Sequence, residues 1–187
     1  MKRNFAACVS LSLLCILTGC SVFHCNPNIA FMGDSITYFW SLPATNLGVA
    51  GNTTAQMLER FPDQVLGHGY KAVVILGGSN DIRNTATPVA EEVTEVVNNL
   101  KAMAADAEKE HLVVVLCDIP PITNDDLRVM PLNAAITSLA NSNNYRLADY
   151  YTPMAGHPEY FKDGLHPNAE GYAVMQKVLS EVLPLDY

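Results

Sequence analysis

The stretch Asn28-Ile29-Ala30-Phe31-Met32-Gly33 decides the fold. It is a short apolar run without polar alternation, it closes on a glycine, and it reads as a strand covered on both faces. Two stronger runs of the same kind follow, Ala72–Gly77 (AVVILG) and Leu112–Asp118 (LVVVLCD). Thr45–Val49 and Tyr145–Asp149 are weaker versions. Helical patterns fill the gaps. Thr53–Arg60 reads as a short helix. Thr87-Pro88 reads as an N-cap followed by a proline at the first helical position, with Glu91 and Glu92 in the first turn. Beyond it Val89, Val93, Val96, Leu100, Met103 and Ala107 repeat on one helical face. Val129–Asn141 reads as a further helix, and Asn168 as the cap of a last one whose apolar face is Tyr172, Met175, Leu179 and Val182. Strands alternating with helices imply a parallel sheet with right-handed crossovers. The expected architecture is a three-layer α/β/α sandwich on a flavodoxin-like five-stranded parallel sheet.

At 187 residues the chain fits one domain. Its 49% hydrophobic and 16% charged content excludes disordered and low-complexity classes. Eleven basic against nineteen acidic residues give a net charge of −8, and no basic run offsets it, so nucleic acid is not an expected partner.

The amino terminus has the grammar of an export signal. Lys2 and Arg3 form a positive region, Phe5–Leu17 an apolar one too short for a comfortable span, and small residues precede Cys20. Leu17-Thr18-Gly19-Cys20 resembles a bacterial lipobox, in which the cysteine is acylated and becomes the mature terminus. Ser21, rather than an aspartate, resembles the sorting rule for outer-membrane lipoproteins of Gram-negative cells. The expectation is a signal peptide over 1–19, a lipid-anchored tether over 20–27 and a single domain over 28–187, carried in the cell envelope. Cys25 and Cys117 then remain, and a disulfide between them is not expected. They fall at opposite edges of a parallel sheet, on the order of 15 Å apart at about 3.3 Å per residue. No cysteine or histidine spacing suggests zinc.

In such sheets ligands meet the carboxyl ends of the strands. Polar residues gather there: Gly33-Asp34-Ser35 after the first strand, Gly48–Asn52 after the second, Gly78-Ser79-Asn80-Asp81 after the third, and Asp163-Gly164-Leu165-His166 in the last loop. A serine hydroxyl needs a base to attack at neutral pH, and His166 has the right ionisation range. Asp163 is placed to accept from the other ring nitrogen and fix the tautomer. Acyl transfer also needs donors where the oxyanion forms; the backbone N–H groups of Ser35 and Gly51 and the amide of Asn80 are the candidates. Asp34 and Asp81 read as structural carboxylates bonding nearby backbone.

These four blocks, in this order, resemble the SGNH/GDSL esterase and lipase superfamily over nearly all of the expected mature chain. The resemblance implies the SGNH hydrolase fold, Ser35 as nucleophile, His166 as base, Asp163 as its orienter, and Gly51 and Asn80 as oxyanion donors. It implies no metal and no organic cofactor. Two departures are visible: Tyr38-Phe39-Trp40 follows the first block, and Asn52 stands where an acidic residue is frequent.

Tyr38, Phe39, Trp40 and His157 are candidates for a substrate wall, with Met130 and Met154 weaker ones. Loop lengths leave no room for a lid domain, so an open, shallow groove is expected. The expected reaction is hydrolysis of carboxylic esters, either short acyl or acetyl esters of carbohydrates or lysophospholipid-like single-chain lipids. The alternatives are an envelope glycan O-acyltransferase with the same triad, a non-catalytic glycan-binding lipoprotein, and more distantly a metallohydrolase using Asp34, Asp163 and His166. The partners expected are a small ester, an acylated glycan or a lysolipid, with membrane contact through the N-terminal anchor alone.

Overall fold

The computed structural model describes residues 26–42, 44–83, 86–123 and 126–183. The signal region, Cys20 and Cys25 lie outside them. Five parallel strands form one sheet in the order β2-β1-β3-β4-β5. Their ranges are β1 Asn26–Gly33, β2 Ala44–Gly48, β3 Ala72–Leu76, β4 Val113–Cys117 and β5 Arg146–Ala148. All five were expected; β1 begins two residues earlier than the apolar run, β2 keeps its length but sits one residue earlier, β3 ends one residue sooner, and β4 and β5 are one residue shorter at each end. β1 pairs on one side with β2, Phe31 against Asn46, and on the other with β3, Phe31 against Val74. This is the flavodoxin-like strand order, with its switch point between β1 and β3.

The helices are α1 Ser35–Tyr38, α2 Thr54–Val65, α3 Val89–Lys109, α4 Asp126–Asn143, α5 Tyr151–Met154 and α6 Ala169–Val182. Right-handed crossovers running from β2 to β5 put α2, α3 and α4 on one face. The reverse step from β1 to β2 puts α1 on the other, where it meets α6 through a hydrogen bond from the Tyr172 hydroxyl to Ile36 O, 2.8 Å. The core is continuous through the sheet; all of β3 is buried.

Three helices differ from expectation at a start or an end, and one of them, α4, runs Asp126–Asn143 where Val129–Asn141 was expected. α2 does not stop at Arg60. It runs through Pro62 to Val65 because Phe61 and Val65 are buried, and that burial outweighs the hydrogen bond a proline withholds. Its start is a capping box between Thr53 and Gln56. α3 begins one residue later than expected: Pro88 is the N-cap and no side chain caps it. Arg128 from α4 ties this end down, donating to Thr87 O at 3.2 Å, to Ile82 O, and to the buried carboxylate of Glu92 at 2.8 Å. Cys117 is a free, buried thiol.

The loop leaving β4 is held by Asn133 of α4. Its amide accepts from Ile119 N and donates to Ile119 O, both at 2.9 Å, in a buried setting. Asp118 beside it accepts from Tyr150 N at 2.6 Å and Tyr151 N at 3.1 Å, joining the exits of β4 and β5. Asn133→Ala strands a buried N–H and a buried C=O, each worth about 1–3 kcal/mol when unpaired. The expected loss in urea unfolding is therefore about 2–5 kcal/mol, and an unchanged midpoint would show that something else holds the loop.

Candidate active site

The site starts from a crowded turn at the end of β1. Gly33 is needed there for space: a Cβ would lie 2.0 Å from Thr37 Oγ1 and 2.8 Å from Leu76 O. Its φ is not left-handed, so the glycine is required there by packing and not by backbone conformation. Asp34 follows, fully buried. Its carboxylate accepts from Ile36 N at 2.9 Å and, across the switch point, from the Ser79 hydroxyl. Asp34, and not Ser35, is therefore the cap of α1. Burial pushes its carboxyl up to about 6, against the lowering effect of those two bonds. Ser35 is the first helical residue.

His166 arrives from the opposite end of the chain. Its Nε2 stands 2.9 Å from Ser35 Oγ, and its Nδ1 2.8 Å from Asp163 Oδ2. The other oxygen of Asp163 accepts from the backbone N–H of Leu165 at 3.1 Å and of His166 at 2.8 Å. These bonds, with the N–H of His166 foremost, draw the Asp163 carboxyl down to about 2, although its side chain is 55% exposed. The loop is pinned at each end. Lys162 N donates to His166 O at 2.8 Å, and Thr123 N to Gly164 O at 2.9 Å. Asn168 caps α6 through Glu170 N and Gly171 N. Two side chains of the last loop and one from the other end of the sequence thus form one hydrogen-bonded line.

The candidate donors lie on the β2–β3 side. Gly51 sits in a turn closed by Asn52 N on Val49 O, with φ +81 and open space where a Cβ would be. Asn80 Nδ2 donates to Asn52 O at 2.9 Å, so the Gly51 turn and the Asn80 amide are joined. Beneath them lies Arg60. It donates to Asn52 Oδ1 at 2.8 Å, Leu47 O at 2.7 Å, Gly33 O at 2.8 Å and Gln64 Oε1 at 2.6 Å. One side chain therefore gathers the ends of β1 and β2 and the Asn52 turn. Asp81 accepts from Thr54 N at 3.0 Å and from Thr54 Oγ1 at 2.6 Å, fixing the start of α2.

The proposed wall divides. Tyr38 and Phe39 are 56% and 50% exposed, and the Phe39 ring meets His166 edge-on at 5.5 Å. Trp40 points inward; it is 5% exposed, between Phe31, Tyr150 and Tyr172, and contributes only an edge to the surface. Met154 is buried, while Met130 is exposed. His157 pairs with Glu159 at 2.8 Å and stacks on Tyr160. Three hollows flank the line: about 160 Å³ beside Asn80 and Asp81, about 590 Å³ beyond Phe39, and about 270 Å³ between Ile122, His157 and Phe161. Among the described residues no group of three His, Cys, Asp or Glu side chains is arranged to hold a metal ion.

The GDSL-like lipase/acylhydrolase family model matches residues 31–174. The chain belongs to this family. As a GDSL-like acylhydrolase it is a hydrolase of esters, acting on small ester substrates. A GDSL-like lipase from Bacteroides thetaiotaomicron is 28% identical, with 82% of this chain and 85% of that one aligned at a TM-score of 0.74. A Bacteroides fragilis protein assigned as an acylhydrolase is 29% identical over 82% and 84%, at 0.73. An acetyl xylan esterase shares the fold at 20% identity over 83% and 99%, at 0.73. No functionally curated protein matches the sequence.

Arg60, Ser79 and Tyr172 are the residues that sequence reasoning left without a role. Arg60 sits in an ordinary amphipathic helix, and nothing local marks it. Arg60→Met removes the tie on the Asn52 turn, and misplacement by about 1 Å can cost up to about 10²-fold. The expected result is a fall in kcat of about tenfold with KM nearly unchanged; a rise in KM alone would separate Arg60 from the turn's placement. The raised carboxyl of Asp34 makes a second prediction. Between its ordinary value of 3.8 and about 6 the folded state keeps a proton that the unfolded chain gives up, so stability falls as pH rises through that window. Asp118, raised to about 7 by burial and by the Asp149 charge, extends the same trend upward. Asp34→Asn should flatten the part between pH 4 and 6 in urea titrations; an unaltered slope would contradict the assignment.

Proposed function

We propose that this GDSL-like acylhydrolase is a serine esterase acting through an acyl-enzyme, with Ser35 as nucleophile, His166 as general base and acid, and Asp163 as orienter. The observation that carries the reading is the unbroken line of bonds from Asp163 through His166 to Ser35 Oγ, at 2.8 and 2.9 Å. Ser35 Oγ bonds to the ester carbon as its proton passes to Nε2. The carbonyl oxygen takes the negative charge, facing Ser35 N–H, Gly51 N–H and the second hydrogen of the Asn80 amide, whose first is spent on Asn52 O. The C–O bond to the alcohol then breaks and the alcohol oxygen receives the proton from Nε2. Water repeats the sequence on the acyl-enzyme and releases the acid.

The substrates we favour are short acyl or acetyl esters of carbohydrates, or single-chain lysolipid-like esters. Tyr38 and Phe39 are exposed apolar side chains whose rings meet at 5.0 Å beside His166, and they offer a surface along which a chain can lie. We further propose that the protein is exported and acylated at Cys20, in the bacterial envelope and in the outer membrane if the cell is Gram-negative. No helix among the described residues is long and apolar enough to cross a membrane. β1 enters the sheet at the edge opposite Ser35. From Cys20 to Asn26 the chain reaches at most about 20 Å. An anchored domain would then hold its reactive edge away from the membrane that carries it, which favours esters of the surrounding envelope.

A fluorophosphonate probe should label the wild type at Ser35 and fail on Ser35→Ala; a folded wild type that resists the probe would sink the reading. Asn80→Ala should lose about 3–4 kcal/mol of transition-state stabilisation, seen in kcat. Unchanged kcat would remove Asn80 from the oxyanion site. Mass analysis of the envelope form should find acyl chains on residue 20, absent from Cys20→Ala.

A further inference from the structure

We infer that the groove between α1 and α6 binds the alcohol half of the ester, and that this alcohol is a sugar. The inference rests on the serine esterase reading and narrows its substrate. Its first support is direction. With the carbonyl carbon at Ser35 Oγ, the carbonyl oxygen turns to the donors on the β2–β3 side. The leaving oxygen must lie next to His166 Nε2, because it takes its proton there. Whatever that oxygen carries therefore extends on the imidazole side. The groove of about 590 Å³ begins on that side: Phe39, one of its walls, meets the His166 ring, and Lys162, at its rim, bonds His166 O through its own backbone N–H.

The second support is the chemistry of the lining. Tyr172 lines the hollow with its ring stacked on the nearly buried Trp40, 5.5 Å apart at 23°, so that Trp40 backs the Tyr172 ring and adds only an edge of its own. The Tyr172 hydroxyl is already committed to Ile36 O, so that residue offers the ligand a ring and no hydrogen bond. Small Ala173 keeps the hollow open, and its neighbour Gln176 adds an amide on the same helix, with the ammonium of Lys162 opposite. Flat aromatic surface with a few polar groups at the margin suits a ring that has one apolar face and hydroxyls around it. A choline-type headgroup would meet an ammonium of its own sign at Lys162, and a plain alkyl chain would leave Lys162 and Gln176 without a partner. Phe39, Lys162 and Gln176 are thus assigned as specificity-determining residues for the leaving alcohol.

The test keeps the acyl group fixed and varies the alcohol. Full-length wild type, Ala173→Trp and Lys162→Met are assayed on methyl acetate and on a mono-acetylated methyl glycoside, with methyl hexanoate and a lysolipid as controls for acyl length and for a lipid alcohol. Labelling of Ser35 by a fluorophosphonate, whose leaving group is only fluoride, is followed in parallel. Ala173→Trp should lower kcat/KM on the acetylated glycoside at least tenfold, with methyl acetate turnover and labelling within about twofold of wild type. Lys162→Met, at an exposed position that does not challenge folding, should raise KM for the glycoside about fivefold and leave methyl acetate alone. Glycoside turnover unchanged in both variants overturns the assignment. So does a loss that follows acyl length between methyl acetate and methyl hexanoate, which would make the groove an acyl site. A larger loss on a lysolipid than on the glycoside overturns the sugar. Failure of the wild type to label would instead bring down the esterase reading itself.

Discussion

One buried carboxylate sets the spacing of the whole site. Asp34 bonds the Ser79 hydroxyl across the gap between β1 and β3, where the strand order reverses and the ends of two neighbouring strands are free to splay. Ser35 is one residue beyond Asp34, and Asn80 one residue beyond Ser79. The hydroxyl and the amide proposed to face a single carbonyl are therefore each one peptide from the same tie. Burying a carboxylate without a cation is costly, and its raised ionisation range records that cost. The two donors that meet it offset part of the expense.

Much of this was legible in the chain, and the reason is that it is local. Apolar runs such as Ala72–Leu76 announce buried strands, and glycine, serine and asparagine after them announce turns at the carboxyl edge. The last loop was readable because Asp163 and His166 lie three residues apart, within reach of one turn. What escaped had no local mark. The helix expected over Thr53–Arg60 is too short, and only the burial of Phe61 and Val65 carries it on through Pro62. Trp40 is adjacent to the exposed Phe39, yet it turns into the core, since neighbours on a helical turn face different ways. The bond from Tyr172 to Ile36 spans most of the chain, and no pattern within either segment betrays it.

The hollows around the reactive line belong to different segments. One is bounded by the Asn80 loop and α3, one by α1 and α6, one by the loop after β4 and the turn at His157. None of the three shares a side chain with the bonds that join Ser35, His166 and Asp163. Selectivity and reactivity are thereby separable in this fold: a wall can change size while the reacting atoms keep their distances.

Arg60 carries this separation into electrostatics. Every acceptor it meets, Leu47 O, Gly33 O, Asn52 Oδ1 and Gln64 Oε1, is a neutral oxygen. Where an acidic residue would have cancelled the guanidinium, Asn52 only orients it. A full positive unit is thus lodged under the Gly51–Asn80 edge of a protein whose net charge is −8. In the proposed mechanism its potential is in place before any ester arrives and needs no rearrangement when negative charge appears on the carbonyl oxygen. A scaffold side chain that knits strand ends thereby also biases that corner of an otherwise anion-repelling molecule toward the chemistry proposed for it.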